Sequence, residues 1–321
     1  MWWSTTTSAM SRRRQGSVVS ELVGDRESAR VTVRAPATSA NLGPGFDSLG
    51  LCLDLADLVS AEITREGTEV VVLGEGAGDL PTDDSNLVVT SIRRAFDVWG
   101  VPQPGLRLQC RNVIPHARGL GSSAAAIVAG LRLAQALAAN HSATESEAVA
   151  FATALEGHPD NVAACLLGGL TIAWTDEASP TAIRLDVDQR VEPVVFCAER
   201  PLSTRLSRGL LPETVEHGRA SANSAHAALL VVALTGRPDL LLPATHDLLH
   251  QEARRPAMPE SMQLVDTLRE AGVPAVISGA GPSVLALCTT GQAPRLARRV
   301  PPGWRLMRLA VDPLGARIVS G

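Results

Sequence analysis

A glycine–serine segment near the middle of the chain has the residue types of a phosphate-binding loop. Gly119 and Gly121 allow a close approach of the backbone to a ligand and a positive φ. Ser122 and Ser123 follow where an Ala-rich segment of helical spacing begins, so their N–H groups lack partners within the helix and lie at its positive end. Such a helix start is a candidate anion site. A glycine turn before an ordinary serine-capped helix explains the same residues equally well.

The basic residues restrict how phosphate could be bound. All 29 are arginine, and the chain contains no lysine. P-loop NTPases and protein kinases need a phosphate-binding lysine, and Schiff-base enzymes need a lysine amine, so these classes are excluded. Phosphate chemistry here must rely on backbone N–H groups, metal and arginine. The lack of lysine and tyrosine also fits a bias in genome composition.

Gly119, Gly121 and Ala124 also fit the dinucleotide-binding fingerprint. That motif needs a strand running straight into the first glycine and an acid about 20 residues further on. Here residues 115–118 intervene, and no acid stands at residue 140 or 141. The spacing therefore disfavours a dinucleotide site.

Composition narrows the cellular setting. The net charge of −4 gives no reason to expect nucleic acid as a partner, and the longest apolar runs, such as 227–234, are too short to span a bilayer. The five cysteines form no Cys-x-x-Cys pair, which is typical of buried thiols in a reducing compartment. We expect a soluble, cytoplasmic protein with no membrane partner.

The elements that would position the loop are mixed strands and helices. We expect strands at 31–35, 51–59, 70–73, 106–110, 166–174, 191–197, 275–278 and 284–287, and helices at 86–98, 124–139, 145–156, 222–234 and 261–271. Because they do not alternate as regular βαβ units, the predicted class is α+β. Residues 1–30, rich in Ser, Thr and Arg, are predicted to be a mobile tail. A polar, turn-like stretch near residue 178 divides the rest into domains at 31–178 and 179–321.

Two further glycine-bearing segments, 36–47 and 278–283, suggest that three loops converge on a polar ligand. Together with 115–125 and the motif Glu156-Gly-His-Pro-Asp-Asn161, they resemble the homoserine kinases of the GHMP kinase superfamily. The resemblance covers residues 31–315, with the motifs in order. The glycine–serine loop alone indicates only the superfamily, whereas 36–47 and 156–161 are more specific to homoserine kinases.

The resemblance implies a two-domain GHMP kinase fold. An N-terminal α+β domain with a left-handed βαβ crossover carries the phosphate loop, a ferredoxin-like C-terminal domain follows, and the active site lies in the cleft between them. It also implies transfer of the γ-phosphoryl group of ATP to the side-chain hydroxyl of L-homoserine, with Mg²⁺, in threonine biosynthesis. Homodimers are common among relatives. Another small-molecule kinase of the superfamily and a nucleotide-binding sensor without activity stay open as alternatives.

The resemblance also implies which residues bind ATP and the metal. Asn86, at the head of a helix, is expected near the adenine. Ser123 and Glu156 match the family's Mg²⁺ positions, although a helix cap and an ordinary helix-end acid are their alternatives. The loop residues assigned to ATP are Pro115, His116, Ala117, Arg118, Gly119, Leu120, Gly121, Ser122, Ser123, Ala124 and Ala125.

L-Homoserine is a zwitterion with a short hydroxyl arm, so its site needs charges of both signs. A carboxylate is suited to a bidentate arginine, and Arg208 and Arg254 match the family's carboxylate-binding arginines. The amine needs an acid or a carbonyl, which Asp47 with Asn41 in the same loop could supply. The alternatives are surface arginines and a turn-capping aspartate.

Asn161 stands where several relatives in the superfamily place an aspartate as the base. An amide cannot take the hydroxyl proton, so we expect Asn161 to orient the hydroxyl while positioning and charge stabilisation carry the reaction. Asn161 and Arg208 are the residues expected to be catalytic. Asp160 is the alternative base, and His158 is interpreted as structural. His226 stands where many relatives carry arginine, so no role is assigned to it.

Overall fold

The computed structural model of the chain describes residues 30–138, 141, 143–176, 179–289 and 291–320. The predicted tail lies outside these ranges except for Arg30. Within the described residues, no helix has both the length and the apolar character needed to cross a membrane.

The first sheet has seven strands and a mostly antiparallel arrangement. The strands are β1 (Val31–Ala40), β2 (Leu49–Thr64), β3 (Thr68–Gly74), β4 (Gly105–Asn112), β5 (Leu170–Asp176), β6 (Ser179–Leu185) and β11 (Arg317–Ser320). Five of them lie in the order β11-β1-β2-β4-β3, and the β5–β6 hairpin pairs with β2. β3 and β4 are parallel and are joined by helix α1 (Leu87–Trp99). These three elements together form a βαβ unit, as predicted.

Three further helices pack with this sheet: α2 (Ser122–Leu137), α3 (Glu145–Glu156) and α4 (Pro159–Leu167). α2 follows the glycine–serine loop and is buried on almost every side because its residues are small or apolar. Gly130 allows α2 to lie against α1, since a Cβ at this position would come 2.6 Å from the Cβ of Ser91. The dense packing holds the start of α2, and with it the loop, in a fixed place.

The second sheet has four antiparallel strands in the order β10-β7-β9-β8. They are β7 (Val191–Cys197), β8 (Ala275–Ile277), β9 (Val284–Thr289) and β10 (Arg305–Arg308). Between β7 and β8 run α5 (Thr204–Arg208), α6 (His217–Thr235), α7 (Leu241–Ala244), α8 (Gln251–Arg254) and α9 (Pro259–Glu270), and a 3₁₀ helix (Ala293–Arg299) joins β9 to β10. A βαββαβ succession on an antiparallel sheet is the ferredoxin-like arrangement that was predicted.

The α+β class is confirmed, and several local features differ from the prediction. The strand expected at 166–174 begins only at Leu170, because helix α4 starts at Pro159 and ends before Gly168, which has a φ of 76°. Strands β6, β10 and β11 and the short helices α5, α7 and α8 were not predicted. The predicted domain boundary at residue 178 falls between β5 and β6, which pair with each other. Since β11 also pairs with β1, the first sheet takes strands from both sides of that boundary.

Candidate active site

The three glycine-bearing segments meet where the two sheets approach each other. The Ser278 hydroxyl donates to the Gly119 carbonyl at 2.6 Å, and the Thr38 N–H donates to the Leu120 carbonyl at 3.1 Å. A Cβ on Gly119 would lie 2.1 Å from the Ser278 carbonyl oxygen, and one on Gly121 would lie 2.0 Å from Thr38 Oγ1. Both glycines have positive φ, so no larger residue fits this crossing of loops.

Two cavities share the glycine–serine loop as a common wall. A polar cavity of about 250 Å³ lies over the start of α2, and an apolar cavity of about 320 Å³ lies beside it against α1. Both are lined by Ala117, Ser122 and Ser123. Of the predicted loop residues, Pro115, Arg118 and Ala124 line neither cavity. A ligand with one apolar and one anionic end could occupy the two cavities together.

The apolar cavity is shaped to hold a flat, weakly polar group. Its apolar walls include Val59, Val72 and Val88. Asn86 caps α1: its Oδ1 accepts from the Val88 N–H at 3.0 Å, and its Nδ2 donates to the Pro81 carbonyl at 2.8 Å. The amide retains one N–H and one lone pair for a ligand.

Two titratable groups also line this cavity. The Asp57 carboxylate accepts from the Val113 and Ile114 N–H groups, and its burial raises its pKa to about 6. His116 Nε2 is buried and has no hydrogen-bond partner among the described residues, and burial lowers the pKa of His116. An unpartnered ring nitrogen is a potential contact for a ligand.

The start of α2 presents its backbone to the polar cavity. Its N-cap residue is Gly121, so no side chain caps the first N–H groups of the helix. Ser123 Oγ donates to Glu156 Oε2 at 2.7 Å, and burial raises the pKa of Glu156. Arg118 points elsewhere and donates to the carbonyls of Ala198 and Glu199 at 3.1 and 2.6 Å, which ties the loop to the second sheet's domain. At this loop, the groups available to an anion are therefore backbone N–H groups and not the Arg118 side chain.

Ser123 and Glu156 are also the groups that could hold a divalent cation. Their oxygens are hard donors, 2.7 Å apart, and both residues line the polar cavity. Among the described residues, no three His, Cys, Asp or Glu side chains come close enough to form a metal site of their own. The donor set fits Mg²⁺, which is usually held by one or two protein oxygens together with phosphates and water.

The predicted charged residues lie together beside the polar cavity, which Arg208 and Arg254 line and Asp47 does not. Arg208 Nη1 and Nη2 donate to the two carboxylate oxygens of Asp47 at 3.1 and 2.5 Å. Asn41 Oδ1 accepts from the Asp47 N–H at 2.9 Å, and its Nδ2 donates to the Gly279 carbonyl. Asn41 and Asp47 have φ of 67° and 53°, a left-handed backbone that these two residue types tolerate best. The loop conformation thus aims the carboxylate at the arginine.

Arg254 lies behind this pair and is almost completely buried. Both guanidinium groups lie over the ring of Phe46, with the central carbon of Arg208 5.6 Å and that of Arg254 5.4 Å from the ring centroid. Burial, together with the positive charge of Arg208, lowers the pKa of Arg254 to about 10, which still leaves it charged at neutral pH. Two guanidinium groups gathered at one aromatic ring bring two positive charges to the polar cavity that both residues line, where they attract an anion.

Asn161 and its neighbours close the cavity between the loop and the ion pair. Thr38 Oγ1 donates to Asn161 Oδ1 at 2.7 Å, which leaves the Asn161 amide N–H₂ as the free end. The Asp160 carboxylate is buried and accepts from the Asn161 N–H at 2.9 Å, and it lies 3.0 Å from His158 Nδ1. The hydrogen bond to Asp160 raises the pKa of His158. Asp160 is thus already engaged in shaping the start of α4.

Three side chains of this region were not predicted. Thr38 and Phe46 lie within the recognised motif around Asn41, so the motif carried an indication of them. His250 contacts Arg254, but nothing in its local sequence indicated this. His226, to which no role was assigned, lines neither cavity and stacks obliquely on His246, with ring centroids 5.2 Å apart.

Comparison with known proteins places the chain among kinases. Residues 86–169 match the family GHMP kinases N terminal domain, and residues 229–304 match GHMP kinases C terminal. The chain is 51% identical to homoserine kinase of Streptomyces avermitilis over 293 residues, which is 91% of this chain and 96% of that protein. It is 50% identical to homoserine kinase of Clavibacter michiganensis, over 90% of this chain and 94% of the relative.

Solved structures agree with this assignment. The crystal structure of homoserine kinase from Cytophaga hutchinsonii superposes with a TM-score of 0.82 at 27% identity, covering 91% of this chain and 98% of the other. A crystal structure of mevalonate kinase, 14% identical, has a TM-score of 0.65 over 89% of this chain and 99% of that one, and shares the fold.

Proposed function

The chain belongs to the homoserine kinase family of the GHMP kinases, and we propose that it transfers the γ-phosphoryl group of ATP to the side-chain hydroxyl of L-homoserine in threonine biosynthesis. The observation that carries the proposal is one polar cavity lined both by an uncapped helix start and by Arg208, whose guanidinium is paired with Asp47. A phosphate donor and a zwitterionic acceptor would meet there.

The acceptor is held by its two charges. In the proposal Asp47 binds the ammonium group, and Arg208 with Arg254 binds the carboxylate. Asp47 and Arg208 pair with each other in the free protein. When a zwitterion binds, its ammonium group can take the place of Arg208 beside Asp47, and its carboxylate can take the place of Asp47 beside Arg208. The hydroxyl arm would then extend towards Asn161 and the loop.

The donor would occupy both cavities. The adenine fits the apolar cavity beside Asn86, and the phosphate oxygens accept hydrogen bonds from the N–H groups at the start of α2. Ser123 and Glu156 would hold the Mg²⁺, which neutralises phosphate charge when bound. Of the loop residues predicted to bind ATP, those that line the cavities carry the contacts in this proposal: His116, Ala117, Gly119, Leu120, Gly121, Ser122, Ser123 and Ala125.

Asn161 orients the acceptor hydroxyl and does not deprotonate it. Its carbonyl oxygen already accepts from Thr38, so its N–H₂ group is free to donate to one lone pair of the substrate hydroxyl oxygen. The other lone pair is thereby directed towards the γ-phosphorus for attack. The hydroxyl proton passes to a phosphate oxygen, as a loose phosphoryl-transfer transition state allows. Asp160 takes no proton in this scheme.

An assay of ADP release with L-homoserine, mevalonate and galactose tests the proposal. We expect turnover with homoserine at a kcat/KM at least roughly 100-fold above that with either other alcohol. Neither of the other alcohols carries both the ammonium group and the carboxylate that match Asp47 and Arg208. ³¹P NMR of the product would show a phosphate monoester on the side-chain oxygen. Tight ATP binding without turnover of homoserine would contradict the proposal and favour a nucleotide sensor.

The proposal includes two further expectations about the enzyme in solution. All five cysteines are buried thiols, which supports a reducing compartment and a cytoplasmic location. A homodimer, common among relatives, is expected from the resemblance and can be checked by analytical ultracentrifugation.

A further inference from the structure

His250 is a buried residue that joins two parts of the polar cavity. It precedes helix α8, which carries Arg254, and both side chains are 1% exposed. The ring of His250 packs against Phe46, with centroids 5.0 Å apart. It therefore lies between the loop that carries Asp47 and the arginine proposed to bind the substrate carboxylate.

The hydrogen bonds of His250 determine its protonation. Arg254 Nη1 lies 2.9 Å from His250 Nδ1, and a guanidinium can only donate, so Nδ1 must be the acceptor. His250 Nε2 lies 2.9 Å from the Gly43 carbonyl, which can only accept, so Nε2 must carry the proton. The ring is thus the neutral Nε2–H tautomer, and each nitrogen has a different task.

From this arrangement we infer that His250 is a positioning residue, which sets the guanidinium of Arg254 for the substrate carboxylate through Nδ1. The inference rests on the proposed function, since it assigns Arg254 to the carboxylate of homoserine. The Nε of Arg254 is buried without a hydrogen-bond partner among the described residues, and the guanidinium is held by the hydrogen bonds of Nη1 to His250 and, at 3.4 Å, to the Gly279 carbonyl. Loss of the Nδ1 acceptor would leave the guanidinium free to turn about the end of its chain.

Two amide substitutions separate the two ring nitrogens. In His250→Asn the amide oxygen can stand where Nδ1 stands, which keeps the acceptor for Arg254 but loses the reach to Gly43. In His250→Gln the amide nitrogen can stand near Nε2, which keeps the donor to Gly43 but loses the acceptor. We expect the KM for homoserine to rise at least roughly tenfold in His250→Gln and about threefold or less in His250→Asn, with the KM for ATP within about twofold of wild type in both, since a lost hydrogen bond to a charged group costs about 1.5–3 kcal/mol.

A substrate without the carboxylate gives a second measurement. With 3-aminopropan-1-ol, which lacks only that group, His250→Gln should reduce kcat/KM by about the same small factor as His250→Asn. Arg255→Gln is the matched control, because Arg255 is the next residue but its side chain is about one-third exposed and pairs with Glu252 and Asp266. The inference is wrong if the two amide variants raise the KM for homoserine equally, or if His250→Gln is equally damaging with and without the carboxylate.

Measurements on the wild-type enzyme keep the inference testable if a variant fails to fold. ¹⁵N NMR of histidine-labelled protein should show His250 as the neutral Nε2–H tautomer, with its Nδ1 resonance shifting when homoserine binds. A proton on Nδ1 would overturn the inference. Failure of the wild-type enzyme to phosphorylate homoserine would instead overturn the proposed function, and the NMR result would still stand on its own.

Discussion

Asp47 and Arg208, 161 residues apart in the chain, form a bidentate ion pair beside the polar cavity. Each side chain is about one-third exposed, so the pair is accessible to a small ligand, and Arg208 lines the cavity. A bound zwitterion would break this ion pair and form two new ones. The new pairs would offset part of the free energy needed to remove the charged groups of the substrate from water.

Removal of either partner should therefore weaken the binding of homoserine more than the binding of ATP. We expect Asp47→Ala and Arg208→Ala each to reduce kcat/KM for homoserine by roughly 30-fold or more, because loss of one member of a charge pair leaves the other unmatched at about 2 kcal/mol or above. Steady-state kinetics with each substrate varied in turn measure this. Arg205→Ala, on the exposed face of the same helix, is the control, and a change below twofold in either test variant would argue against the assignment.

Glu156 should govern the metal requirement. In Glu156→Gln we expect the Mg²⁺ concentration for half-maximal activity to rise about tenfold, because an amide is a weaker ligand than a carboxylate for a hard cation. Burial raises the pKa of Glu156, so its metal affinity in the wild type should also fall as the pH decreases towards that raised pKa. Titration of activity with Mg²⁺ measures both. Glu145→Gln, in the first turn of the same helix, should leave the Mg²⁺ dependence unchanged.

The hydrogen bond from Thr38 to Asn161 predicts different outcomes for two small substitutions. Thr38→Val removes the hydroxyl and frees the amide to turn, so kcat should fall roughly tenfold, the effect of one hydrogen bond of about 1.5 kcal/mol. Thr38→Ser keeps the hydroxyl and should retain most of kcat. Equal loss of kcat in both variants would show that packing of the methyl group matters and the hydrogen bond does not.

Asp160→Asn tests the mechanism without a side-chain base. An asparagine at this position can still accept from the Asn161 N–H, so turnover should persist within about 100-fold of wild type. Abolition of turnover while calorimetry still detects binding of ATP and homoserine would make Asp160 the base.

Asp57 should make the folded state less stable as the pH rises. Burial raises its pKa from the usual 3.8 to about 6, so the folded protein binds this proton more tightly than the unfolded chain. That contribution is complete below pH 3.8 and is lost as the pH rises through 6, at about 3 kcal/mol in total. Asp57→Asn keeps an acceptor for the two backbone N–H groups without the charge. Its Tm should exceed that of wild type at pH 8 by several degrees, and the gain should shrink at pH 5.

Asp79→Asn, an exposed carboxylate, is the control for this series and should show no such dependence. A gain for Asp57→Asn that is constant from pH 5 to pH 8 would mean that the carboxylate stays protonated or is solvated in the folded state.

Local features of the sequence predict the glycine-bearing loops, whereas the contacts between distant segments of the site depend on tertiary packing. Gly119 and Gly121 are recognisable because their backbone conformation and the close approach of Ser278 and Thr38 require glycine. The predicted strand at 166–174 began too early and included the last two residues of helix α4, because a short apolar run has no decisive periodicity. The contacts of Phe46 with Arg208 and Arg254 join segments distant in sequence, which no local pattern encodes.

The pairing of β1 with β11 has a consequence for biosynthesis. β1 is the first described strand to leave the ribosome and β11 the last, yet they are neighbours in the same sheet. A nascent chain that already contains the phosphate loop and Asn161 therefore still has the outer edge of β1 uncovered. This edge stays exposed until β11 has been synthesised, and an unpaired strand edge can associate with other chains.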